Sequence, residues 1–395
     1  MAAKNLPPVW NKIAKHAMMP ETNHDERARY NFLASLNKHL AHVSQGNKMA
    51  YEKRVEPAFK AKNGRDIASV EELQEAISKD AHYQIWSSLR RSTMEMRQQA
   101  GRSIVLRQAE ELRDKAEEFN KGKSTLVLDP NCKVPEYLLA VDNHLMPGSY
   151  HTELIEGDVT PAANYDSGIF VTTAGLLGRY NDGGGKAITS WVKKTYPDFA
   201  PKRILDIGCG MGHNVLPIAK AFPNAEVIAI DTGAPMLRYA HARALDLGIT
   251  NVTFMQMDAA KTIFENESFD WIQSTMFFHE TGGKSIYTIM EEVYRLLKPG
   301  GLTLHIEQPQ YTEDMSLFEK FIRDWDALNN SEPYWSKMHD IEPIDLMQAS
   351  GFRKEDFMQI GAKAENDLDD GTQKADEPED HGRSPIWNVF GAIKN

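Results

Sequence analysis

Cysteine is scarce: Cys132 and Cys209 are the only two among 395 residues. That is too few for a disulfide framework, and neither has the His or Cys spacing of a metal site, so no metal is expected. Long apolar runs are also missing. No stretch reaches the roughly 18 residues a membrane span needs, so no membrane association is expected. The first residues, Met1 to Pro8, lack the apolar core of a secretion signal. A cytoplasmic location is the resulting expectation. An excess of basic charge is absent too, since the net charge is −11. Broad nucleic-acid surfaces need clustered Lys and Arg, so a nucleic-acid partner is not expected.

What charge there is falls unevenly. Residues 1–150 carry 23 basic and 19 acidic side chains, whereas 151–395 carry 22 and 37. A mildly basic arm thus precedes an acidic body. The first 120 residues read as helices, with Leu33, Leu36, Leu40 and Val43 at helical spacing. Ser69 and Glu72 form a capping-box pattern opening a helix toward Ile77. A long helical pattern runs from His82 to Phe119, which Gly101 would divide. Within it Val105, Ala109, Leu112, Ala116 and Phe119 form a packing seam, open either to the core or to a homodimer contact through the N-terminal helices. Residues 1–120 are therefore read as a helical domain serving dimerisation or covering a site. Residues 121–165, rich in turn formers and holding His144, Tyr150 and His151, read as a connection.

A helix is expected near Asp166–Leu177, then a flexible break at Asn181–Gly185. From Arg203 the pattern alternates. Apolar runs at Arg203–Ile207, Glu226–Ile230, Val252–Met255, Phe269–Gln273 and Leu302–Glu307 are separated by helical stretches. Those stretches are Asn214–Ala221, Pro235–Leu247 and Ser285–Leu297. This is the signature of an α/β domain with a parallel sheet covered on both faces, here assigned to 166–395. Helices near Met315–Leu328 and Pro343–Ser350 and two closing runs, Phe357–Ile360 and Ile386–Ile393, complete it.

The strongest local signal is the glycine turn after the first of these strands, Ile204 to Gly212, with Asp206, Gly208, Gly210 and Gly212. Glycines let the backbone turn sharply and approach a ligand without Cβ atoms between. The spacing is G-x-G-x-G, not the G-x-G-x-x-G of dinucleotide sites, which opposes a nicotinamide dehydrogenase. Asp231 ends the second strand nineteen residues after Gly212, where an acid can accept from both ribose hydroxyls or cap the next helix. Asp258 follows the third strand, Phe269-Asp270 opens the fourth, and Lys298 to Gly301 opens the fifth.

This series resembles the class I SAM-dependent methyltransferases, in particular the broad group acting on small molecules and quinones. The resemblance is close over residues 200–310 and looser over 166–395. It implies a seven-stranded Rossmann-like sheet whose last strand is antiparallel, with S-adenosylmethionine (SAM) as cofactor. It places Asp206, Gly208, Gly210 and Gly212 beneath the methionine part, Asp231 at the ribose, Met236 against the adenine, and Asp258 with Ala259 at its edge. Ser274, just after the fourth strand, is counted with these cofactor residues.

The implied reaction is in-line transfer of a methyl group to O, N or S of a small molecule. SAM binding without methyl transfer stays open as the alternative, with nucleic-acid methylation behind it. His279 follows the fourth strand, outside the carboxyl ends where ligands sit, and is either a general base or a positioning group. Glu280 beside it either orients the imidazole or is an exposed loop acid. Phe277 and Phe278 could face a sulfonium or pack in the core. Phe278, His305, Glu307 and Tyr311 are the candidate acceptor residues. The acidic insert 365–380, with eight acids and one lysine, is expected to hang over the pocket rim as a lid or a solvated loop.

Overall fold

The computed structural model describes residues 9–365, 367, 368 and 386–395. Residues 366 and 369–380 of the acidic insert, and with them the lid expectation, lie outside the described residues.

Five helices open the chain: α1 (His24–Ala50), α2 (Glu56–Asn63), α3 (Val70–Ile77), α4 (Ala81–Leu106) and α5 (Ala109–Asn120). Asn23 and Glu26 close a reciprocal capping box at the start of α1. At α3 only half of the expected box forms. Ser69 accepts the Glu72 amide, while the Glu72 carboxylate turns to Arg65 and the Ala68 amide. Gly101 does not divide the long helix. The break falls at Arg107–Gln108, and Gly101 instead lets α4 approach α7 (Thr160–Thr172), where a Cβ would meet the Asn164 side chain. The expected seam also faces inward. Val105, Leu112 and Ala116 pack with Ala162 and Ala163 of α7 and with Met236 and Tyr239 of α10 (Ala234–Asp246), so the chain itself covers the stripe considered for a dimer. Val43, expected on the buried face of α1, is exposed.

The connection contributes β1 (Leu126–Val127) and the short α6 (Glu136–Leu139). Next comes α8 (Gly183–Thr195), which begins where a flexible break was expected. The three glycines serve packing there: a Cβ at Gly185 would lie 2.1 Å from the Asn214 carbonyl oxygen. The alternating region gives β2 (Arg203–Ile207), α9 (Val215–Ala221), β3 (Glu226–Asp231), α10, β4 (Val252–Gln256), β5 (Phe269–Thr275), α11 (Gly283–Leu296) and β6 (Leu297–Ile306). Four short helices follow: α12 (Leu317–Arg323), α13 (Trp325–Asn329), α14 (Trp335–His339) and α15 (Pro343–Ala349). Then β7 (Phe357–Lys363) and β8 (Ile386–Ile393) end the fold.

The sheet order is β1-β4-β3-β2-β5-β6-β8-β7. Strands β1 to β6 pair in parallel, and β8 runs antiparallel between β6 and β7. The sheet thus has eight strands rather than seven. The extra one is β1, a short strand from the connection that pairs with the edge of β4, where residues 121–165 were read as wholly irregular. Alternation along the inner strands buries both faces. Ile204, Val227 and Ala229 point into one core, and Leu205, Ile228 and Ile230 into the other. The helical arm docks at two further points. Leu40, Leu73 and Trp86 pack with Phe318, Phe321 and Trp325, and Tyr30, Leu33 and Ile104 pack with Phe170 and Val171.

Candidate functional site

Strand β2 delivers the chain into the glycine turn with Gly208 at φ +68° and Gly210 at φ +51°, backbone that side chains resist. A Cβ at Gly208 would lie 2.1 Å from the Phe277 ring, which leans over the turn from the end of β5. Asp231, at the end of β3, ties the turn together. Its Oδ2 accepts the Gly210 amide at 2.9 Å and its Oδ1 the Gly233 amide at 2.8 Å. Burial raises its pKa against the pull of those amides. Each oxygen keeps a lone pair for a further donor. Asp258 accepts the Ala260 amide at 2.9 Å, and the Met257 amide bonds the Asp231 carbonyl, so the two acids share one wall. Met236 is buried against the turn, its Cε 3.8 Å from where a Gly210 Cβ would stand. Asp206 is buried beneath, bonded to Gln273, with its pKa raised by burial and by Asp231. A glycine cradle with carboxylates on one side fits an adenosyl ligand with a methionine tail.

Residues of the connection close over this cradle. The Tyr150 carbonyl lies 3.0 Å from the Cβ position of Gly233. Tyr137 packs against Gly282, edge-on to Tyr334. Its phenol is raised by burial first, then by Asp258, Asp231 and Glu280.

That group is a cluster of three carboxylates and two imidazoles. His279 Nδ1 bonds Glu307 Oε1 at 2.6 Å, while Glu307 also accepts the amides of Phe278, His279 and Gln308. Burial would lower the His279 pKa, but Glu307 and then Glu332 and Glu280 push it up to about 9. His144 lies between Glu280 (3.2 Å) and Glu332 (2.7 Å), and these carboxylates likewise outweigh its burial and raise it well above its usual value. Glu280 accepts from the Tyr150 hydroxyl at 2.8 Å and from Asn143 at 3.3 Å. It is not the exposed loop acid that its position suggested. His144, Met276 and Ser331, each in or next to the cluster, take left-handed backbone at φ +54° to +56°, costing on the order of 1–3 kcal/mol apiece.

Arg97 of α4 lies against Gly168 of α7, where a Cβ would stand 2.7 Å from its Nη1. It is 5% exposed, and its Nη1 makes no hydrogen bond. Tyr30, Tyr165 and Tyr150 surround the guanidinium electrostatically.

Of the residues named from sequence, the structure gathers Asp206, Gly208, Gly210, Gly212, Asp231, Met236, Asp258 and Ala259 around the cradle, and His279 with Glu307 in the cluster. Others face elsewhere. Ser274 bonds His305 Nδ1 at 2.8 Å, and His305 packs between the Phe278 and Phe390 rings. All four are buried, so Ser274, Phe278 and His305 serve the sheet's core. Tyr311 stacks on His339 at 4.5 Å and bonds Asp324 and the Lys320 carbonyl among the C-terminal helices. Sequence reasoning missed Tyr137, Tyr165, Glu332 and Arg97. Each lies far along the chain from the glycine turn, in segments without a motif. The closest hint was the turn-rich stretch holding His144 and Tyr150.

Residues 204–301 match the family model described as a methyltransferase domain. Demethylmenaquinone methyltransferase from Thermus thermophilus is 36% identical over 110 residues, which are 28% of this chain and 49% of that protein. The same enzyme from Geobacillus kaustophilus is 31% identical over 112 residues, 28% and 47% of the two chains. The chain therefore spans about half the length of these curated relatives. A SAM-dependent methyltransferase structure from Aquifex aeolicus is 16% identical with a TM-score of 0.36, over 53% of this chain and 92% of that one.

Proposed function

We propose that residues 204–301, which match a methyltransferase-domain family model, form a class I SAM-dependent methyltransferase domain, and that the chain moves the methyl group of SAM to a small-molecule acceptor. The observation that carries this reading is the glycine turn bridged to Asp231 through the Gly210 amide, with the buried His and Glu cluster directly beyond it. Bound SAM supplies an electrophilic methyl carbon, so the hardest chemistry belongs to the cofactor. Asp231 receives the ribose hydroxyls, and Asp258 and Ala259 the adenine edge. Arg97 and Tyr165 receive the methionine carboxylate, giving the unpaired guanidinium its anion. Tyr137, Tyr150 and the rest of the cover exclude water and hold the acceptor in line, an effect worth on the order of 7–11 kcal/mol.

The proton-accepting role considered for His279 passes to another group. A histidine raised to about 9 carries its proton at neutral pH, so His279 donates to Glu307 and positions the loop. Glu280 is ionised, its burial being outweighed by His144, and it keeps part of its surface uncovered. It is the residue suited to take a proton from the acceptor. Calorimetric titration with SAM and with NAD tests the cofactor assignment. Binding of SAM alone supports it, and binding of NAD alone overturns it.

A further inference from the structure

The surroundings of Glu280 are unusual. Within a buried region, Glu280, Tyr137, Tyr150, Tyr165 and Phe277 each keep part of their surface uncovered. Such side chains are the walls of the proposed acceptor site. Three of these walls are tyrosines, and Glu280 acts electrostatically on all three phenols. Tyr150 also bonds it directly and crosses Tyr165 edge-on at 5.5 Å.

The charges inside do not cancel. Among the described residues, the cationic partners of Glu280, Glu307 and Glu332 are His144 and His279. Glu307 has its acceptor sites filled by three amides and an imidazole. Glu332 does not: its Oε2 is buried without a hydrogen bond, 3.7 Å from His279 Nε2. Arg97, whose guanidinium lies against Gly168 of α7, is assigned in the proposed reading to the cofactor's carboxylate. One negative charge is left over, next to aromatic faces. Carboxylate and aromatic faces together attract a cation.

We infer that the acceptor arrives as an organic ammonium ion, seated on Glu280 among Tyr137, Tyr150 and Tyr165, and that its nitrogen is the atom methylated. The inference rests on the methyltransferase reading above. The ammonium gives one proton to Glu280, and the freed lone pair forms the nitrogen–carbon bond. The carbon–sulfur bond breaks with its electron pair left on sulfur as a neutral thioether. The product keeps a single positive charge as the methylammonium, and Glu280 releases its proton to solvent.

Two measurements test this. In the first, the protein is incubated with methyl-labelled SAM and a metabolite extract, and the products are separated into basic, neutral and acidic fractions. Label in the basic fraction is expected. Label confined to the neutral or acidic fractions, a quinone or a carboxylic ester for example, overturns the inference while leaving methyl transfer intact. So does the absence of label from every fraction when SAM binds. Failure to bind SAM overturns the parent reading instead. In the second, calorimetry on the protein loaded with S-adenosylhomocysteine compares tetramethylammonium with uncharged tert-butanol. The cation should bind about tenfold more tightly, and E280Q should erase the difference in protein that still binds S-adenosylhomocysteine. Equal binding of the two probes to the wild-type protein contradicts a cation site.

Discussion

Asp231 holds two backbone amides and, in the proposed reading, receives the ribose, so Asp231→Ala should remove both the ligand's acceptor and the clasp on the turn. Hydrogen bonds to a charged group contribute about 1.5–3 kcal/mol, and SAM affinity should fall about 10- to 100-fold by calorimetry. Arg97→Met should separate ligands by their tails. SAM should weaken by about tenfold or more, whereas adenosine, which has no carboxylate, should bind as before; equal losses would remove the assignment. The histidines set a pH profile. Burial lowers His213 and His305 to about 3, and His241 and His339 to about 4. An unfolded imidazole titrates near 6.5, so between these values the unfolded chain binds more protons. Their stabilisation is complete above about 6.5 and is lost as pH falls toward 4 and 3. His279 acts the other way, contributing below about 6.5 and fading as pH climbs through 9. The melting midpoint should therefore drop from pH 6.5 toward 4; a flat profile there contradicts the burial of neutral imidazoles.

Elements were more legible in the sequence than the side chains between them. Period-two and period-3.6 patterns depend on near neighbours, so β2 to β6 and α9 to α11 could be placed within a few residues. What could not be read was packing between distant segments. The glycines of 183–185 look like a hinge until Asn214 is seen against Gly185. Glu280 looks like a loop acid until His144 and Tyr150 cover it from 130 or more residues away. The left-handed residues of the cluster likewise give no local sign. Gly391 is a comparable case within β8. A Cβ there would lie 2.0 Å from the Thr303 carbonyl oxygen of β6, so Gly391→Ala should destabilise the fold by about 1–3 kcal/mol in chemical denaturation. An unchanged midpoint would mean that the β6–β8 pairing differs from the register described.

Across the molecule, the helical arm and the sheet are joined through buried polar contacts as well as apolar ones. Asp166 of α7 binds His16, Tyr239 and Arg243, and Arg90 of α4 pairs with Asp326 of α13. Removing one partner of a buried pair costs about 3–5 kcal/mol. Asp166→Ala should therefore split a single thermal transition into two, the arm melting first, as followed by calorimetric scanning. A persistent single transition would show that the apolar contacts suffice to couple them. The connection after the arm brings Tyr150 to Gly233, Tyr137 to Gly282 and His144 to Glu280, all built by another part of the chain. The site is thus a product of the whole chain rather than of residues 204–301 alone. The most direct test is the transfer of labelled methyl from SAM to an extracted metabolite, compared between the wild-type chain and Asp231→Ala. Labelled product from the wild type, falling at least about tenfold in the variant at limiting SAM, is the expected result. No labelled product from a wild-type chain that binds SAM would contradict the account.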